Sequence, residues 1–351
     1  MVTSLFAHEF AEKMVKKYIS QGLWLDCSLA EYYMYLEYYD EGGYGSIHKV
    51  MDRRSGDYLI LKRSSKKDFV PGTLNHNFNT LTPSLCDTTD TTDTTQRFAL
   101  CSKSKLDERS TLAELMTSEV GKLIIDPNLQ VSKEAEFMTK IHEKLNGLKL
   151  YDYYDDDDHY ILVMENGGRS LESIACSHRK KIQDLMRYEA YQSNYFYRTY
   201  LSQIVKYVIE VYHKIKAIHD LGIHHNDLKP ENILIESNEA IIIDYGVAKS
   251  VEESYTSYKG TLEYIPYEYV ENGFYKPWDH TIWCFGIMLH FLTLMKYPFL
   301  REEDVLDYHL NKKKINKLPH TFSTLIYDCL QKDPTKRPQN LLERLKGLQT
   351  Y

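Results

Sequence analysis

The chain has 351 residues, enough to bury one large core or two modest ones. Hydrophobic residues make up 43% and charged residues 26%, values that exclude wholesale disorder, and a formal charge of −7 argues against a chiefly electrostatic nucleic-acid binder. No run approaches the roughly 20 apolar residues that span a bilayer, so neither nucleic acid nor membrane is expected as a partner.

The opening stretch, about Leu5 to Ile19, reads as an amphipathic helix rather than a signal peptide, with its apolar face capping its own domain. The cysteines (Cys27, Cys86, Cys101, Cys176, Cys284 and Cys329) are scattered without a close pair, which gives no zinc or redox motif. A reducing setting follows as the expectation, cytoplasmic or nuclear. Short β-like runs come next: YYMYLEYYD and HKVMD flank EGGYG, and the turn RRSGD leads into YLILK. Within an insert of about 64–130, the chain to about Ser110 is rich in Ser, Thr, Asp and Asn, with a repeated D-T-T unit. Such a stretch buries too little apolar surface to offset its ordering entropy, so it is expected to be an inserted loop with a disordered centre.

Helical periodicity returns in VSKEAEFMTKIHEKLNG, which sets Phe137, Met138 and Ile141 on one face. LKLYDYY and HYILVME read as strands joined at Asp155 to Asp158, a solvated hairpin tip. After the turn Asn166-Gly167-Gly168 the chain becomes mainly helical. The most regular helix runs from about Tyr200 to Asp220, with Gly222 as its stop. The expected organisation is therefore α+β in two lobes. A β-rich lobe with one main helix spans 33–165 and carries the insert; a larger helical lobe spans 166–351; residues 1–32 form an extension.

The most informative segment is IHHNDLKPENILIESNEAIIIDYGVAKS. ILI and AIIID are short apolar runs separated by ESNE, a tight hairpin. Asp227, Lys229 and Asn232 lie just before it and Asp244 just after it, so the hairpin gathers two carboxylates, an amide and an amine. Oxygen ligands such as Asn232 and Asp244 suit Mg²⁺ shared with phosphates. Asp227 can orient and deprotonate a hydroxyl, and Lys229 can steady transferring negative charge.

This segment resembles the catalytic loop and metal loop of eukaryotic-type protein kinases, H-R-D-L-x-x-x-N followed by D-F-G. The two motifs stand here as His225-Asn226-Asp227-Leu228-Lys229-Pro230-Glu231-Asn232 and Asp244-Tyr245-Gly246. The resemblance implies a two-lobed kinase fold, ATP and Mg²⁺ as cofactors, and protein substrates. Other landmarks follow in the same order. Asp40-Glu41-Gly42-Gly43-Tyr44-Gly45-Ser46-Ile47 looks like the phosphate loop with its first glycine replaced by Asp40. Gly42, Gly43, Gly45 and Ile47 are thereby assigned to ATP. Leu59-Ile60-Leu61-Lys62 resembles V-A-I-K, which makes Lys62 the lysine of the α/β-phosphates. Its partner is expected on the next helix, where Glu134 is preferred to Glu136 because Phe137 and Met138 follow at core-facing offsets. Met164 falls at the gatekeeper position, and Glu165 and Gly167 would offer backbone groups to adenine. Gly260-Thr261-Leu262-Glu263-Tyr264-Ile265-Pro266-Tyr267-Glu268 resembles G-T-x-x-Y-x-A-P-E, and Asp333-Pro334-Thr335-Lys336-Arg337-Pro338 resembles the late D-P-x-x-R-P element. By that resemblance Glu268 and Arg337 form a buried ion pair, whose one-sided loss should cost roughly 3–5 kcal/mol.

The sequence departs from the family pattern in places. Asn226 replaces the arginine that can grip a phosphorylated activation segment, although Ser254, Tyr255, Thr256, Ser257 and Tyr258 stand as exposed candidates for modification. Thr281 takes the place of an aspartate that braces the catalytic loop, for which Asp279 or His280 are possible substitutes. Lys229 and Thr261 together resemble the serine/threonine branch. The expected function is transfer of the γ-phosphoryl group of ATP to Ser/Thr hydroxyls of proteins. The alternatives are a pseudokinase acting as a binding module, motivated by Asp40, Asn226 and Thr281, and a small-molecule kinase of similar fold, against which the G-T-x-x-Y and D-P-x-x-R-P elements speak.

Overall fold

The computed structural model describes residues 32–42, 45–65, 133–155, 159–188, 190–252, 254–308 and 312–350, together with Leu29 and Leu310. The helix expected at 5–19, Gly43, nearly all of the insert and residues 156–158 of the acidic tip lie outside the described residues.

Alternation of apolar and polar residues builds the first layer. Strands β1 (Tyr33–Gly42), β2 (Gly45–Asp52), β3 (Tyr58–Ser65), β4 (Leu150–Asp155) and β5 (His159–Glu165) form an antiparallel sheet in the order β1-β2-β3-β5-β4. Because successive side chains point to opposite faces, β3 sends Leu59 and Leu61 to one side and Ile60, Lys62 and Ser64 to the other. Leu59 and Leu61 join Leu29, Tyr33, Tyr35, Val50, Ile161 and Val163 in a small core on the first face. The opposite face receives helix α1 (Lys133–Leu145), whose Ala135, Phe137, Met138 and Ile141 pack with Leu150, Leu162 and Met164. Lys62 is thus delivered to the helix-covered face by the pleat alone.

The second part is helical, interrupted by the hairpin of β8 (Ile233–Glu236) and β9 (Glu239–Ile242) and by the short strands β6 (Arg169–Ser170), β7 (Ile223–His224) and β10 (Lys249–Ser250). Strand β6 extends the hairpin as a third strand, and β10 pairs antiparallel with β7. Helix α2 spans Leu171–Tyr188 and α3 spans Ala190–Asp220. Helix α3 thus begins ten residues before the expected Tyr200. Its first turns, AYQSNYFYRT, lack an apolar stripe, so periodicity could not announce them. Helix α4 (Tyr267–Asn272) precedes α5 (Pro277–Leu294), which is buried almost all round from His280 to Thr293 and forms the axis of this lobe. At Gly286 a Cβ would meet the Leu330 side chain at 2.7 Å, so the glycine lets α5 approach the end of α8 (His320–Cys329). Short helices α6 (Glu302–Asp307), α7 (Lys312–Ile315) and α9 (Leu341–Lys346) complete the lobe. No helix among the described residues is long and apolar enough to cross a membrane.

Glu268 and Arg337 meet as expected. Arg337 Nη1 and Nη2 donate to the two Glu268 carboxylate oxygens at 2.8 and 2.5 Å, and Nη1 and Nε also donate to the carbonyls of Asp279 and Gln331. Its guanidinium lies 4.9 Å from the Trp283 ring centroid. Planar, bidentate and bonded through all three nitrogens, this is the geometry in which a buried pair recovers its desolvation cost. It fixes the segment ending at Glu268, just beyond the site described next.

Candidate active site

Lys62 is 8% exposed and its ammonium sits between two carboxylates, donating to Glu134 Oε1 and to Asp244 Oδ1, each at 2.7 Å. Glu134 is buried while Glu136, half a turn away, is exposed, so the choice between them follows from which face of α1 meets the sheet. Tyr160 Oη also donates to Glu134, at 3.2 Å. Burial works against the Lys62 charge, but Asp244 and Glu134 together hold its ammonium above the usual lysine range. At Asp244 burial is likewise outweighed by Lys62, which keeps the carboxyl below the usual carboxylate range. Burial pushes Glu134 upward, against the pull of the same lysine.

Asp244 follows β9 with φ +66°, a left-handed conformation that Asp and Asn tolerate better than most residues. That turn swings its carboxylate back toward Lys62, and the Gly246 N–H donates to the same oxygen at 3.4 Å. The second oxygen belongs to a side chain 31% exposed.

The loop between β7 and β8 carries the second group. His225 Nε2 bonds the Ile243 carbonyl at 2.9 Å, tying this loop to the residue before Asp244. The Asp227 N–H donates to His225 Nδ1 at 3.3 Å. Asp227 Oδ1 accepts from the Thr261 N–H at 2.8 Å, and Oδ2 faces Asn232 Nδ2 at 3.1 Å and Lys229 Nζ at 3.2 Å. Lys229 also donates to Thr261 Oγ1 at 2.6 Å. Burial opposes the Lys229 charge, yet Asp227 and Glu231 hold its ammonium above the usual range. Asn232 donates from Nδ2 to the Asp227 carbonyl as well, at 2.9 Å. With its nitrogen turned to Asp227, the planar amide turns its oxygen away from that residue. A carboxylate oxygen of Asp244 and the amide oxygen of Asn232 are hard donors of the kind Mg²⁺ takes when phosphate oxygens complete its shell, so the residues present fit that ion.

Above these groups, β2 and β3 are registered so that Ile47 opposes Lys62 and Gly45 opposes Ser64. The glycine turn therefore begins beside the lysine; Gly42 and Gly45 pair with each other at its two ends, and Gly43 lies outside the described residues. At the other end of the sheet, Met164 opposes Ile60 and is buried, while Glu165 opposes Leu59. The Glu165 N–H is committed to the Lys149 carbonyl at 2.9 Å, so of its backbone groups only the carbonyl can serve a base. Gly167 is wedged between lobes: a Cβ there would stand 2.8 Å from Leu234 and 2.9 Å from Leu148.

Three expectations need correction or completion. Tyr255 is 4% exposed and is not an accessible hydroxyl; it pairs through its backbone with Tyr275 and stacks on His224. Ser254, Thr256 and Ser257 are exposed. Thr281 turns inward to its own helix, donating to the Pro277 carbonyl at 3.0 Å, and does not brace the catalytic loop. His280 stands nearest to that task, with Nδ1 3.3 Å from His224 Nε2 and Nε2 3.3 Å from the Tyr264 carbonyl. The contacts of Thr261, its N–H with Asp227 and its hydroxyl with Lys229, were visible in sequence only as the pair Gly260-Thr261. A Cβ on Gly260 would stand 2.5 Å from the Asn226 carbonyl oxygen, which explains the glycine.

Comparison with known proteins agrees with this geometry. The family described as "Protein kinase domain" matches residues 109–345, about two thirds of the chain. The chain is 45% identical to "Putative serine/threonine-protein kinase 040L" of Invertebrate iridescent virus 3, over 99% of this chain and 97% of that protein. It is 26% identical to serine/threonine-protein kinase PSK2 of Saccharomyces cerevisiae over 59% of this chain, and 31% identical to serine/threonine-protein kinase pim-2 of Danio rerio over 39%. Those matches span 18% of the yeast protein and 43% of the fish protein. The family match begins after Lys62, so the place of that lysine rests on its contacts with Glu134 and Asp244.

Proposed function

The chain belongs to the protein kinase family, and from that premise we propose that it transfers the γ-phosphoryl group of ATP to serine and threonine hydroxyls of protein substrates. The observation that carries the proposal is the convergence of two bonded groups, Lys62 with Asp244 and Asn232 with Asp227 and Lys229, joined through the backbone of Ile243, which bonds Asn232 and His225. Lys62, steadied by Glu134, would hold the α/β-phosphates. The turn at Gly42, Gly43 and Gly45 would cover them, with Ile47, Met164 and the backbone of Glu165 and Gly167 around the nucleoside. Asn232 and Asp244 would hold Mg²⁺, which supplies charge neutralisation to the phosphates.

Asp227 would be the base. Its carboxylate is oriented by the Thr261 N–H and by Asn232, so an incoming hydroxyl meets a fixed acceptor and the proton moves to it as the oxygen attacks. Lys229 lies beside that carboxylate and can shift its ammonium toward charge building on the transferred group. Thr261 joins both, which relates the substrate-side segment to the catalytic loop. The serine/threonine assignment is supported by the names of the relatives and by the Lys229–Thr261 pair. No side chain that performs the chemistry is missing, and nothing in the site favours a non-catalytic role.

The test is Mg²⁺-dependent transfer from labelled ATP to a generic protein substrate and to the chain itself, followed by analysis of the phosphorylated residues. Label on serine and threonine that vanishes in Asp244→Asn is expected. Label on tyrosine alone, or label that persists in Asp244→Asn, would overturn the assignment.

A further inference from the structure

Asn226 is buried, adopts φ +67° and immediately precedes Asp227. Its side-chain amide is used at both ends. Nδ2 donates to the Val247 carbonyl at 3.2 Å, and Oδ1 accepts from Tyr275 Oη at 2.6 Å. Val247 lies three residues beyond Asp244, and Tyr275 lies in the connection between α4 and α5. One amide therefore ties the loop of the base, the loop of the metal ligand and the entry to the central helix.

Tyr275 is wholly buried and held from several sides. Its backbone forms a two-bond bridge with Tyr255, at 2.8 and 3.0 Å, and its ring meets Tyr258, Tyr269 and His280 edge-on at 5.1–5.9 Å. The segment from Val247 to Tyr264 is thereby anchored along its length, at five points among others. These are the Asn226 bond at Val247, the β10–β7 pairing, the Tyr255–Tyr275 bridge, the Asp227–Thr261 bond and the Lys229–Thr261 bond. An amide suits this place because it offers a donor to one neighbour and an acceptor to the other, whereas a cationic side chain offers donors only.

We propose that Tyr275 is a positioning residue for phosphoryl transfer: its hydroxyl, through Asn226, holds the catalytic and metal loops in register, so that the chain is active with residues 254–257 unmodified. The proposal rests on the phosphoryl-transfer reading above. Its rival is local. Lys249 Nζ reaches the Ser257 carbonyl at 2.8 Å and Ser257 Oγ at 3.3 Å, so a phosphate on Ser257 would meet an ammonium.

The experiment compares the full chain with Tyr275→Phe and with a triple variant, Ser254→Ala/Thr256→Ala/Ser257→Ala, which removes the exposed hydroxyls of residues 254–257. Tyr275→Phe keeps the ring and leaves Asn226 Oδ1 unpaired. Its kcat should fall about tenfold or more with the KM for ATP unchanged, the rate equivalent of one unpaired buried acceptor. Damage to the fold alone would reduce the amount of active enzyme, seen by active-site titration, and leave kcat per site intact. The triple variant should keep wild-type kcat within about twofold, the usual reach of surface substitutions. Unchanged kcat per site in Tyr275→Phe overturns the proposal, and so does loss of activity in the triple variant, which stays decisive should Tyr275→Phe fail to fold. No transfer by the wild type in any state of modification would overturn the kinase reading and this inference with it, whereas wild-type transfer lost in the triple variant overturns the inference alone.

Discussion

Glu134 and Glu136 stand on the same helix, two residues apart, and their surroundings differ completely. Glu134 closes on Lys62 at 2.7 Å inside the cleft, and Glu136 faces water. Glu134→Gln keeps the shape and removes the charge that fixes Lys62 on one side. The lysine then leans toward Asp244 alone, and a displacement of this order in a positioning group costs roughly 100-fold in rate. We therefore expect kcat/KM to fall by about that factor in Glu134→Gln and to change by less than about twofold in Glu136→Gln, as for other exposed sites. Steady-state rates of the two variants against ATP check this, and equal losses would contradict it. The preference for Glu134 was legible in sequence because a buried residue on a helix is followed by core residues three and four positions on. The partnership of Asn226 with Tyr275 was not legible, since 49 residues separate them and no local pattern links an asparagine to a distant hydroxyl.

At the scale of elements, strand β7 and helix α5 meet through His224 and His280, both buried. Burial holds the His280 pKa down to about 3 and pushes His224 well below its ordinary value, with His280 adding to the effect. Both rings are therefore neutral in the fold, whereas the unfolded chain protonates them near pH 6.5. Below that pH the unfolded state binds more protons than the folded one. The stabilisation from neutral rings is thus complete above about pH 6.5 and is lost as the pH falls toward 3, at up to about 1.4 kcal/mol per pH unit per histidine. Thermal unfolding followed from pH 7 to pH 5 should show a falling midpoint, and the slope should be shallower in His280→Gln. An unchanged slope would mean that the contact between β7 and α5 does not couple to protons. Among the elements themselves, strands and the hairpin around the site were readable because alternation and turn residues are local signals. The start of α3 was not, because its first turns gain their place from length and packing rather than from an apolar stripe.

At the scale of the whole molecule, the site lies where a sheet-borne lysine meets a loop-borne aspartate 182 residues later in the chain. The two-lobed plan was legible because β-rich and helical composition separate along the sequence. The candidate site was legible because the hairpin of β8 and β9 brings the segments of Asn232 and Asp244 together by a local turn. The side chains that set the strength of the site were less so: the partners of Asp227 include Thr261, 34 residues away, and Thr281 turns to the Pro277 carbonyl of its own helix. Asp227 as the base is the role on which phosphoryl transfer by this chain turns. Steady-state transfer by Asp227→Asn, beside ATP-induced thermal stabilisation of the same variant, measures that role apart from binding. The account predicts stabilisation by ATP as in the wild type, with kcat lowered by about 10²–10⁴-fold, the range of a lost general base. A kcat within tenfold of the wild type, with nucleotide still bound, would contradict it.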